Sequence, residues 1–120
     1  MSNWKLFMSV VVVTLFTLRP SYAQDKKSEN CFYTREKALA DIKNNKAKLL
    51  VQGGIASIIY STDKEFFEKY KIGYYIFGCV APENVECLND YNRAIFDYLD
   101  KTFGKGWRKD ARKDAIGFKQ

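Results

Sequence analysis

The chain has 120 residues, 20 of them Lys or Arg and 14 Asp or Glu, with a net charge of +6 and no histidine. The missing imidazole excludes Ser-His-Asp and Cys-His catalysis, His-ligated zinc and the usual general base near neutral pH. A chain this short supports one small domain with one core.

In chain order, residues 1–23 read as a cleavable export signal. Lys5 supplies a positive start, Leu6 to Leu18 is mostly apolar, and Ser21 and Ala23 are the small residues expected before a cut at Gln24. Arg19 and Pro20 end the apolar run short of the roughly 20 residues that a membrane span needs. The +6 of the whole chain less the signal's two basic residues, Lys5 and Arg19, leaves +4, short of a nucleic-acid footprint. Residues 24–33 are expected to be a flexible lead-in, polar from Gln24 to Asn30, and residues 34–120 a single small domain.

Within that domain Thr34 caps a predicted helix over 35–45, with Ala38, Leu39 and Ile42 on one side. Residues 48–55 read as a strand broken by Gly53-Gly54, and Ile58 to Tyr60 as a second short strand. Thr62 and Glu65 match a capping box opening a helix over 63–71, with Gly73 as its left-handed stop. Residues 74–80 are the clearest strand, and Pro82-Glu83-Asn84 is a turn. The longest helix covers 85–103, with Leu88, Tyr91, Ile95 and Tyr98 or Leu99 at helical spacing. A last helix over 107–115 carries Trp107, Ala111 and Ala115 on one stripe, continued by Phe118. The expected class is α+β, a two- or three-stranded sheet packed with about four helices. The two main strands form either a parallel pair around a helix or part of a hairpin.

Three cysteines remain after the signal. Cys79 with Cys87 is the expected disulfide, a short loop between a strand end and a helix start, which leaves Cys31 as the free thiol. No Cys-x-x-Cys is present, and the cysteine spacing is poor for zinc, so neither a metal nor a cofactor is expected.

The second half resembles the FEKKY domain, a small exported bacterial domain of uncharacterised function. The resemblance rests on Phe66-Phe67-Glu68-Lys69-Tyr70, Tyr75-Ile76-Phe77-Gly78-Cys79, Glu86-Cys87, Tyr91-Asn92 and the tail from Tyr98 to Gly117, and covers roughly residues 50–118. The name-giving run has one Lys here where the family has two. The resemblance implies a fold unit and an exported setting, and it assigns no reaction, ligand or active-site residue.

Glu83, Glu86 and Asp90 at the start of the long helix are the candidates for the paired carboxylates of a carboxylate-dependent hydrolase, but acids at a helix N-terminus also follow from its dipole. The run from Lys101 to Lys113 is the sharpest surface feature. Lys105, Arg108, Lys109, Arg112 and Lys113 are the candidate binding residues, with like charges four apart on the predicted helix. The expectation is therefore a non-catalytic exported domain, periplasmic or secreted, that binds an anionic cell-envelope component or a protein through this basic face. It needs no nucleic acid, and it has no membrane span once the signal is removed. A carboxylate-dependent hydrolase and a structural or inhibitory protein acting through a protein interface are the alternatives.

Overall fold

The computed structural model describes residues 31–79 and 84–119. The expected signal, most of the lead-in and residues 82 and 83 of the expected turn lie outside the described residues. The elements run α1 (Arg35–Lys43), β1 (Lys48–Val51), α2 (Ser61–Tyr70), β2 (Gly73–Ile76), α3 (Val85–Phe103) and α4 (Trp107–Asp110). This is an α+β arrangement: four helices packed with a small sheet among the described residues.

β1 and β2 pair in parallel, from Lys48 opposite Gly73 to Val51 opposite Ile76, and α2 is the crossover between them. Leu49, Leu50 and Val51 are all buried. Successive strand residues point to opposite faces, so β1 is covered on both, as parallel strands commonly are. Its second edge is also occupied. Val51 bridges Ala115 in antiparallel fashion, and the Ile116 amide donates to the Leu50 carbonyl at 2.9 Å.

That occupied edge explains why no strand forms at 58–60. A hairpin needs an open edge on β1, and the chain's C-terminal segment holds it. The same pairing shortens the last helix. After Asp110 the backbone turns extended at Ala111 and runs on to meet β1. Trp107, Ala111 and Ala115 are all buried as expected, but they do not form one helical stripe.

Other boundaries shift for local reasons. The left-handed residue after α2 is Lys71 (φ 60°), so Gly73 is free to begin β2. α2 starts at Ser61, because the Asp63 carboxylate accepts from the Tyr60 amide at 3.1 Å, which replaces the expected Thr62–Glu65 box. β2 stops at Ile76, and Gly78 then turns at φ +75°. Leu39 of α1 faces outward, leaving Ala38 as that helix's buried contact.

α3 is the spine of the core, contacting α1, β1 and α4. Leu88, Tyr91, Ile95 and Leu99 are buried along it, joined by Phe96. Phe96 stacks on Trp107 with ring centroids 5.6 Å apart, and Phe118 closes edge-on to both rings. The Trp107 indole donates to Asp100 at 2.8 Å, which gives its buried N–H a partner.

Asn92 is buried at 0% exposure, a polar side chain inside an apolar helix face. Its Oδ1 accepts from the Leu50 amide at 2.8 Å, and its Nδ2 donates to the carbonyls of Leu50 at 2.9 Å and Ile116 at 2.8 Å. One amide thus ties α3, β1 and the C-terminal segment together, and its buried polar atoms are satisfied.

Candidate functional site

The expected cysteine pairing is corrected. Cys31 is bonded to Cys87, with their Cα atoms 5.9 Å apart, and Cys79 is free and exposed. The reason is packing. Tyr33 nests its ring against Tyr91 of α3 and Phe77 after β2, which carries the neighbouring Cys31 to the start of α3. The turn at Gly78 directs Cys79 elsewhere, with its Sγ 3.6 Å from the Ile55 carbonyl and 3.8 Å from that of Gly54. Disulfides persist in oxidising compartments.

The basic face is also redrawn. Arg112 leaves it: its side chain is only 6% exposed. Its Nε and Nη2 clamp both oxygens of Asp114 at 2.9 and 2.7 Å. Nη1 donates to Asp63 at 3.1 Å and to the Ile58 carbonyl at 2.9 Å. The guanidinium lies 4.7 Å from the Tyr60 ring centre. The hydrogen bonds to Asp114 come first among the causes that raise the Arg112 pKa, while the same contact holds the Asp114 carboxyl below its ordinary value. Arg112 is a clasp between the C-terminal segment and residues 58–63. The Tyr74 hydroxyl accepts from its backbone amide at 3.1 Å, and burial pushes that phenol up to about 12.

Arg108 is half-committed. It pairs with Asp100 at 3.0 Å and lies 4.8 Å over the Trp107 ring. Burial pushes the Asp100 carboxyl up, but the hydrogen bonds from Arg108 and Trp107 prevail and hold it low. Because α4 ends at Asp110, the predicted like-charge pairs, Arg108 with Arg112 and Lys109 with Lys113, do not stack on a helix. Lys105, Lys109 and Lys113 are exposed together with Lys101. Among the described residues none of these four forms an ion pair, and Lys113 reaches the Arg108 carbonyl at 2.6 Å.

Two open clefts flank this region. One, of about 440 Å³, is lined by residues of α2 and α4 that include Glu65, Lys69, Lys109 and Asp110. The Asp110 carboxylate there accepts from the Tyr70 hydroxyl at 2.6 Å and from Lys69 at 2.9 Å, and the Tyr70 contact does most to hold it low. The other, of about 320 Å³, lies between the start of α3 and the C-terminal segment and includes Gln52, Asn89 and Lys113. Of the candidate acids, Glu83 lies outside the described residues, Glu86 is exposed in the first turn of α3, and Asp90 pairs with Arg93 at 3.7 Å. No group of His, Cys, Asp or Glu able to hold a metal occurs among the described residues. No described helix is long and apolar enough to cross a membrane.

Sequence reasoning missed the segment 52–60. It runs over the surface with Ile55 at 97% exposure and Ile59 at 81%, and with Ile58 and Tyr60 about half exposed. Ile55 reads as the end of the first strand and Ile58 to Tyr60 as a second short one until the pairing edge is known to be taken. No family model matches the chain, and no curated protein or solved structure matches it either.

Proposed function

We propose that this protein is a non-catalytic exported domain, periplasmic or secreted, that binds an anionic envelope component or an acidic protein surface through Lys105, Arg108, Lys109 and Lys113. The observation that carries this reading is the exposure of Lys101, Lys105, Lys109 and Lys113 in one stretch of chain with no described carboxylate paired to any of them. Unneutralised cations raise the local potential and attract an anionic partner. The sequence contains no histidine, and two of its cysteines are joined in a bridge, so histidine-dependent triads and dyads do not compete with this reading. The signal-like first 23 residues and the Cys31–Cys87 disulfide support export. The resemblance to the FEKKY domain belongs to this proposal as well, and it adds the same exported setting.

The test is co-sedimentation with vesicles carrying anionic phospholipid, and with neutral vesicles as the control. A lysine near an anionic surface contributes about 1 kcal/mol, so Lys105→Glu with Lys109→Glu lowers affinity by more than about tenfold. Both side chains are exposed, and the fold is unchanged. Binding weakens with salt, as the Debye length falls from about 10 Å at 0.1 M to about 3 Å at 1 M. Equal binding to neutral vesicles, or by the double variant, refutes the basic-face reading. The exposed isoleucines at 55–59 favour a second reading, a protein interface.

A further inference from the structure

The segment from Gln52 to Thr62 contains no charged residue, in a chain that is otherwise dense in lysine. It is nevertheless held at both ends. Gly53 sits at φ +73°, and a Cβ there would meet Ile76 Cγ2 at 2.6 Å and the Gly78 amide nitrogen at 3.0 Å. At the other end Arg112 holds the Ile58 carbonyl, packs on the Tyr60 ring and binds Asp63. Between these anchors Ile55 and Ile59 stand in solvent. Cys79, the thiol left over by the Cys31–Cys87 bridge, lies against the Ile55 carbonyl at the edge of the same patch.

We infer that this patch is the face on which a second copy of the chain docks, with the Cys79 thiols of the two copies bridged across the contact. Two features select a second copy over another partner. The patch is neutral, so it meets its own image without the repulsion that two lysine-rich surfaces would suffer. A two-fold contact places the same residues on both sides, so one thiol per chain finds a matching thiol and no cysteine is left over. The handful of exposed side chains is also small against the roughly 1,200 Å² that a stable noncovalent interface buries. A covalent link supplies the missing affinity, because it makes the apolar contact intramolecular. In the bridging step the two thiols form one S–S bond and release two protons and two electrons. A disulfide-type oxidant, either a thiol oxidase or an oxidised low-molecular-weight disulfide, takes up the electrons and is reduced to two thiols.

The full chain is exported from its host into an oxidising compartment, and thiols are blocked by alkylation at harvest. Light scattering then reads twice the mass of one chain, a non-reduced digest yields a Cys79–Cys79 peptide pair, and reduction or Cys79→Ser returns the single-chain mass. Ile55→Asp with Ile59→Asp lowers the bridged fraction on the order of tenfold, since it removes the contact that concentrates the thiols. Ile55→Ser with Ile59→Ser lowers it in the same direction and guards against a folding defect. The inference is overturned if Cys79 is recovered alkylated or capped in a single-chain species, or if it is joined to a different protein. It is equally overturned if both Ile variants bridge as fully as the parent. None of these readings depends on vesicle binding, so this inference and the basic-face reading fail separately.

Discussion

A guanidinium buried as deeply as that of Arg112 has to be neutralised where it sits, and two carboxylates and a carbonyl do so. Bidentate pairing with Asp114 uses the planar fork that only arginine has. Removing the cation leaves Asp63 without its cationic partner on a side chain only 13% exposed. Arg112→Met is therefore expected to cost about 3 kcal/mol, the lower end of the range for breaking a buried pair, since Asp114 is half exposed. Urea unfolding followed by Trp107 fluorescence measures it, because Trp107 is the only tryptophan after residue 23. A loss below about 1 kcal/mol, the scale of a surface pair, would show that the clasp contributes no more than an exposed ion pair. Nothing in the local sequence marks Arg112 as different from Arg108 or Lys109. Its partners Asp63 and Ile58 lie 49 and 54 residues away, so its inward direction is a property of the assembled fold. Asn92 is the same kind of case. On a helical wheel it is a polar residue beside an apolar stripe, and only the approach of β1 and the tail makes it central.

At the scale of elements, three helices and the parallel pair around α2 were legible, and the disulfide, the strand ends and the end of the last helix were not. α3 falls on 85–103 as its apolar spacing predicts, because that pattern, the Asn84 cap and the break at Gly104 are all local. The strands at 48–51 and 73–76 were found but read too long, since strand ends depend on what lies alongside. The disulfide is likewise non-local. Proximity in sequence favours Cys79 with Cys87, but the docking of Tyr33 on α3 brings Cys31 there first. The closed loop spans 56 residues, and on the chain-entropy model such a cross-link stabilises by about 4 kcal/mol, against about 2–3 for the short loop. Cys31→Ser and Cys87→Ser should each lower the stability of the single chain by about that much, with no further loss in the double variant, whereas Cys79→Ser should leave the single chain's stability unchanged. Denaturant midpoints of the three single variants and the double variant decide this. A loss on Cys79→Ser equal to that on Cys87→Ser would restore the short-loop pairing.

The whole molecule is joined at its C-terminal end by acids. Asp114 is held low by its hydrogen bonds to Arg112, and Asp110 by those from Tyr70 and then Lys69. Asp100 is pushed up by burial but held low overall by Arg108 and Trp107. Asp110 fastens α4 to α2 and Asp100 fastens α3 to α4, while Asp114 holds the fork of Arg112, which itself reaches Ile58 and Asp63. A carboxylate with a native pKa below its unfolded value of 3.8 binds fewer protons when folded. Unfolding then takes up protons, so the stability these groups contribute is complete above about pH 5 and is lost as the pH falls through 3.8 toward the native values. The urea midpoint is therefore expected to be flat with respect to these groups from pH 7 to about pH 5 and to fall steadily below about pH 4. Asp114→Asn should flatten part of that fall and lower the midpoint at pH 7, because it removes both the titrating group and its bond to Arg112. A midpoint in Asp114→Asn that drops with acid as steeply as the parent's would show that the bond from Arg112 to Asp114 contributes nothing to the acid sensitivity. The acid sensitivity would then have to come from Asp100 and Asp110 alone.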